Sequence, residues 1–260
     1  MGSCTFLDKG DVTPDMLKGL GSTFADIYSS AANIKAAARA VKETNGRTFA
    51  LIPFCHTVEA KALGGDIFPG DDTAGPRAGS YIYKTLDEVE LRPITDFPDV
   101  RHLAQAGREL KAEGERVAWM ITGPISTLSC LVPIEQIFKV WRKDADKMGT
   151  ILEELRAVML DWVRLICDTG ADLISYADPA GNIDILGPKN GAFMSQRFTA
   201  PFLNEAAKVC GTRTKLSMCP LAAEALMKAK LWGGDAEGEG GEGAVGPEVS
   251  CGCVKMMPAV

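Results

Sequence analysis

Three short apolar runs stop at residues able to do chemistry. Residues 48–54 run into Cys55-His56, residues 171–176 lead to Asp178-Pro179, and residues 215–218 lead to Cys219-Pro220. A fourth run, 117–121, ends in the turn sequence Thr122-Gly123-Pro124. Thiols and an imidazole are zinc donors, and an imidazole or a carboxyl can also move protons. Short β-rich runs alternating with helical stretches suggest parallel strands. In such folds functional groups gather beyond the carboxyl ends of the strands. The four breakpoints, distant in sequence, are therefore expected around one pocket.

Cys219 follows a strand and precedes a helix opened by Pro220. The positive end of a helix dipole favours thiolate, the zinc-binding form. The alternative is a small apolar residue packed under the turn. Cys251-Gly252-Cys253 offers two more thiols, which an extended strand would point the same way. With Cys219 and one further ligand they would make a soft tetrahedral site suited to zinc. His56 ends a buried run and precedes Glu59 by nearly one helical turn. It reads equally as metal ligand, acid–base group or capping residue. His102 falls in a polar helix and is expected at the surface.

Asp178 is held out of helix by Pro179 and is a candidate for acid–base work, with Glu59, or else a turn residue. Arg77, in the loop Gly75-Pro76-Arg77, is placed to clamp a carboxylate or phosphate, or else is simply solvated. Tyr176 and His56 join it as substrate-binding candidates.

The elements that must position these groups follow from periodicity and punctuation. Thr13 and Pro14 open a short helix. Residues 31–44 form a helix stopped by Asn45-Gly46. Strand 47–54, a helical turn from His56 to Leu63, helix 99–113 and strand 116–122 follow. Residues 66–98 read as loop, with Tyr81-Ile82-Tyr83 as an edge strand. Pro133 opens another helix, and 146–168 is the longest. Strand 171–177, a helix from Pro201 to 209, strand 212–218 and helix 221–231 come next. Residues 249–254 make a last strand. The alternation points to a TIM-type (β/α)-barrel, usually of about 250 residues. Only four or five strands are evident where eight are needed, so the barrel is expected to be incomplete or shortened on its C-terminal side. Residues 1–260 are read as one domain. Within it, the Gly/Glu-rich stretch 233–247 lacks large apolar groups and is expected to be a flexible loop.

Bulk properties exclude several classes. The chain has 260 residues, 46% hydrophobic and 24% charged, with net charge −6. No Lys/Arg-dense stripe supports nucleic-acid binding, and no apolar run approaches the roughly 20 residues of a membrane helix. The N-terminus lacks the order of a secretory signal, so a cytoplasmic protein is expected. Its 8 cysteines are then expected as thiols. Phosphate loop, Gly-x-Gly-x-x-Gly fingerprint, Gly-x-Ser-x-Gly elbow and His-Glu-x-x-His are all missing. This excludes P-loop ATPase, Rossmann dehydrogenase and α/β-hydrolase readings.

One order of short motifs is familiar. Val58-Glu59-Ala60-x-Ala62-Leu63-Gly64, Gly75-Pro76, Ile121-Thr122-Gly123-Pro124, Asp178-Pro179, Pro188-Lys189, Cys219 and a late Cys-Gly together resemble the uroporphyrinogen decarboxylase superfamily. Within it the chain is more similar to the corrinoid-dependent methyltransferases, of the methylcobalamin:coenzyme M type. The resemblance implies a TIM-type barrel with zinc on a His-x-Cys pair and a distant Cys. It also implies a corrinoid (methylcobalamin) methyl donor on a partner carrier protein, and a small-molecule thiol as methyl acceptor. Cys219 matches the Cys of the pair and Cys251 the distant one. Ser217 stands where the pair has His, so His56, Glu59, Asp178 or Cys253 must complete the site, or zinc binding is weak or lost. The implied activity is zinc-dependent methyl transfer. The alternatives are a cofactor-free decarboxylase of tetrapyrrole carboxylates and a non-catalytic relative that binds a corrinoid or its carrier. Assembly as a homo-oligomer is compatible with all three.

Overall fold

A computed structural model describes residues 12–232, 243–246 and 248–252. Cys253 and most of the 233–247 stretch lie outside these residues.

Five parallel strands form the main sheet: β1 (Ala50–Ile52), β4 (Val117–Thr122), β5 (Leu173–Ala177), β6 (Lys215–Met218) and β7 (Val249–Cys251). They are hydrogen-bonded in the order β1-β4-β5-β6-β7. The architecture is α/β, a shortened TIM-type barrel. Every residue of β4 and β5 is buried, as expected of parallel strands covered on both faces. Side-chain alternation sorts them. Trp119, Ile121, Ile174, Tyr176, Leu216 and Met218 join the large core beneath the helices. Phe49, Leu51, Ala118, Met120 and Leu173 form a separate cluster, on the other face of the sheet by alternation.

The helix layer contains α2 (Ala31–Thr44), α4 (Pro98–Ala112), α7 (Ala145–Asp168), α9 (Ala200–Cys210) and α10 (Pro220–Lys228). The other helices are α1 (Pro14–Gly19), α3 (Val58–Ala62), α5 (Pro124–Ser129), α6 (Ile134–Lys143) and α8 (Ile183–Met194). Their starts follow local chemistry. Thr13 caps α1 by accepting from the Met16 amide at 3.3 Å, with Pro14 in its first turn. Ser30 caps α2 through the Asn33 amide at 3.2 Å. Within α8 the helix breaks at Gly187 (φ 74°), where Pro188 begins the second half. Trp162 of α7 meets Trp119 of β4 edge to face, with ring centroids 5.3 Å apart. α4 crosses so close behind them that a Cβ on Gly107 would lie 3.0 Å from the Trp119 ring.

The structure differs from sequence expectation in the 66–98 segment. Tyr81 and Ile82 are exposed and form no strand. The hairpin instead pairs β2 (Ile67–Phe68) with β3 (Arg77–Ala78), antiparallel. The guanidinium of Arg77 lies 4.4 Å from the Phe68 ring centre and covers it. Two residues per strand leave too short a pattern for periodicity to detect.

Candidate functional site

The carboxyl ends of β1, β4, β5 and β6 lie side by side because the strands are parallel. Beside β1 a cavity of about 760 Å³ opens between the chain near Val12, the Phe24–Tyr28 segment, residues 54–57 and the 73–78 loop. Its walls are mostly apolar, with His56, Thr57, Thr73 and Arg77 among the polar groups. Size and lining suit a small-molecule site.

His56 reaches this wall from the end of β1, and its Nδ1 lies 3.1 Å from Thr122 Oγ1 at the end of β4. Thr122 also donates its amide to Glu59 Oε1 at 2.9 Å. Glu59 is 2% exposed. Burial pushes its carboxyl up from 4.5 to about 7, partly offset by the Thr122 amide and hydroxyl. One threonine therefore links an imidazole on the cavity to a buried carboxyl that titrates near neutrality.

Tyr28 was not foreseen as a site residue, and Cys55, marked by its strand end, was given no role. The Tyr28 hydroxyl accepts from the Phe54 amide at 2.8 Å and lies 3.3 Å from Cys55 Sγ. Thr57 Oγ1 donates to the same sulfur at 3.2 Å. Burial raises the Cys55 thiol above its usual range. Cys55 adjoins a useful signal, the strand end, whereas nothing local marks Tyr28. His102 was expected at the surface; it is half-buried, and its Nδ1 lies 2.9 Å from the Tyr28 carbonyl oxygen.

Arg77 lines the cavity but is ion-paired with Asp71 at 2.7 Å. The hydrogen bonds from Thr73 and this guanidinium hold the Asp71 carboxyl far below the usual range. Asp178 is 5% exposed and accepts from the Ile125 amide (3.1 Å), the Ser126 amide (2.9 Å) and Ser126 Oγ (2.7 Å). These bonds tie the end of β5 to the start of α5. Burial raises its carboxyl, against those donors. The fit is close: a Cβ on Gly123 would lie 2.4 Å from Asp178 Cβ. Tyr176 corrects an expectation. It is 1% exposed and packs against Phe202, with centroids 5.6 Å apart. Alternation along β5 turns it to the helix layer, where its hydroxyl lies beside the Gly123 turn and not on the cavity wall.

Cys219 is 6% exposed, and Cys251 is half-buried. Both pack against the helix-side core, Cys219 just past β6 as the cap of α10 and Cys251 at the end of the neighbouring β7. Ser217 faces the other way. It is fully buried and donates to the Gly252 carbonyl at 3.0 Å. β4, β5 and β6 separate His56, at the end of β1, from β7. Among the described residues no three His, Cys, Asp or Glu side chains lie close enough to hold a metal ion. The described donors thus do not fit the zinc site implied by the resemblance.

A barrel of parallel strands with a ligand-sized cavity at their carboxyl ends defines the class of protein. The chain belongs to the uroporphyrinogen decarboxylase (URO-D) family, whose model matches residues 14–223. Two curated relatives are each named methylcobamide:CoM methyltransferase MtaA. One, from Methanosarcina barkeri (strain Fusaro), is 22% identical over 191 residues, covering 72% of this chain and 56% of the relative. The other, from Methanosarcina barkeri, is 23% identical over 190 residues, covering 71% and 56%. The chain therefore spans little more than half the length of these relatives. A solved methyltransferase from Methanosarcina mazei superposes with a TM-score of 0.70 at 19% identity, over 86% of this chain and 69% of that one. That likeness shows the shared fold. No helix among the described residues is long and apolar enough to cross a membrane.

Proposed function

We propose that the chain acts in methyl transfer from a corrinoid to a small acceptor, a thiol or a related nucleophile. The observation that carries this reading is the 760 Å³ cavity at the β1 carboxyl end, with His56 on its wall and Thr122 behind the ring. The names of the curated relatives support the donor class. When bound, the methylated corrinoid supplies an electrophilic methyl group, delivered by a carrier protein docked over the mouth.

The chain's own groups serve the acceptor. The apolar walls take its body and exclude water, which strengthens every polar contact inside. With Nδ1–H given to Thr122 Oγ1, the basic nitrogen of His56 is Nε2, which is buried; it takes the proton that the acceptor loses on methylation once the acceptor displaces the groups covering it. Thr122 and Glu59 fix the ring's orientation. Arg77, already balanced by Asp71, turns to an anionic acceptor group only by exchanging partners. The described donors do not assemble a zinc site, and the acceptor is served by the groups named above. Asp178 acts as a positioning residue for the β5–α5 corner.

The test is methylcobalamin with added thiol, followed by the cobalt absorbance. Turnover that falls sharply in His56→Gln supports the reading. Turnover unchanged in that variant removes His56 from the reaction. A second reading, binding without turnover, is favoured by one observation: Ser217 replaces the pair's His and spends its hydroxyl on Gly252. Tight binding of a corrinoid carrier with no change in cobalt absorbance would select it.

A further inference from the structure

Cys167 and Cys210 meet at the end of the fold opposite the mouth. Cys167 lies one residue before the end of α7, and Cys210 is the last residue of α9. Their sulfurs share a hydrogen bond at 3.7 Å. Both side chains are buried, at 8% and 2% exposure. The turns that follow them lead into the amino ends of β5 and β6. Thr214 Oγ1 ties those turns together by donating to the Ala171 carbonyl at 2.8 Å. The methyl-transfer reading makes no use of either thiol.

We propose that Cys167 and Cys210 are a reversible redox couple, which a hydroperoxide closes into a disulfide joining the bases of α7 and α9. The sulfurs need to approach by less than about 2 Å to reach bonding distance. The pair is also polarised. The hydrogen bond between them lowers the Cys167 thiol and raises the Cys210 thiol. Cys167 therefore supplies the nucleophilic thiolate.

The chemistry balances with hydrogen peroxide as oxidant. The Cys167 sulfur attacks one peroxide oxygen, the O–O bond breaks, and a sulfenic acid and one water result. The Cys210 sulfur then attacks the sulfenic sulfur, forming the S–S bond and expelling a second water. Two thiols lose two protons and two electrons, and the peroxide takes them up. The 43 residues from one cysteine to the other make the closed loop a long one, which favours stabilisation through the unfolded state.

The test uses the full chain treated with hydrogen peroxide at neutral pH, then unfolded, alkylated and digested. We expect a Cys167–Cys210 linked peptide pair, about 2 Da lighter than the two thiol peptides together, which dithiothreitol separates. The melting temperature should rise by several degrees and return on reduction. Cys210→Ser should abolish both the link and the rise, and should trap Cys167 as an oxyacid. Recovery of both thiols alkylated overturns the proposal. So does oxidation of wild-type Cys167 to sulfinic acid with Cys210 still reduced, or its linkage to a different cysteine. If Cys210→Ser does not fold, Cys167→Ala replaces it, and the wild-type peptide map decides on its own. Mass and melting are read without methyl transfer, so failure here leaves the proposed function untouched.

Discussion

His56 Nδ1 and Thr122 Oγ1 are 3.1 Å apart, across the carboxyl ends of two neighbouring parallel strands. The pair joins residues 66 positions apart in sequence and fixes a ring on the cavity wall. Thr122→Val keeps the shape of the side chain and removes the hydroxyl. We expect methyl transfer to fall by roughly 10- to 100-fold, with the fold retained by circular dichroism. An unchanged rate would show that the hydroxyl does not position the imidazole.

Glu59 makes stability depend on pH. Its carboxyl is raised in the folded chain from 4.5 to about 7. Between those values the folded state keeps a proton that the unfolded state has released. Stability is then full below about 4.5, falls as pH rises, and levels off above about 7. The whole change is on the order of 3 kcal/mol. Urea unfolding across this window should show the decline, and Glu59→Gln should flatten it. A slope retained in Glu59→Gln would assign the effect to another group.

Asp178 accepts from two amides and one hydroxyl inside the protein. Asp178→Asn turns one acceptor into a donor that faces other donors. It should destabilise the chain by about 2–4 kcal/mol, measured by chemical denaturation. A loss of turnover with full stability would instead place the carboxylate in the reaction.

Gly123→Ala would set a Cβ 2.4 Å from Asp178 Cβ and 2.5 Å from the Tyr176 hydroxyl. Neither neighbour can retreat, since both are buried. A fall of more than about 2 kcal/mol is expected, seen as a lower denaturation midpoint. A neutral effect would mean that the β5–α5 corner yields easily.

Metal content gives a further check. The described donors do not gather three to a site. The purified chain should carry well under one zinc, and Cys219→Ser should leave that content unchanged. One zinc per chain, lost in Cys219→Ser, would show ligands assembled with residues beyond those described.

The strands and helices were legible where a buried run or a helical stripe was long enough to carry its period. β4 and β5 and the 24-residue α7 were read nearly to their ends. β1 shrank to three residues, and the β2–β3 hairpin was missed, because two-residue strands have no period to read. His56, singled out by its strand end, lies on the cavity wall. They did not reveal the Tyr28–Cys55 contact, which depends on where α2 and the preceding segment pack. Tyr176 was misplaced for a different reason: its position at a strand end was weighed, but the face it occupies was not. The join of Thr122 to Glu59 needs tertiary packing, and no spacing rule anticipates it.

β7 is three residues long and is held in place by its pairing with β6, where Ser250 lies opposite Ser217 and Cys251 opposite Met218. So brief a ladder offers little resistance to sliding. A slip of one residue would exchange the two faces, carrying the Cys251 sulfur to the inner wall and the Ser250 hydroxyl outward. Such a slip would also pull Val249 and Cys251 out of the helix-side core, so the burial of one valine is what keeps the last thiol out of the barrel lumen.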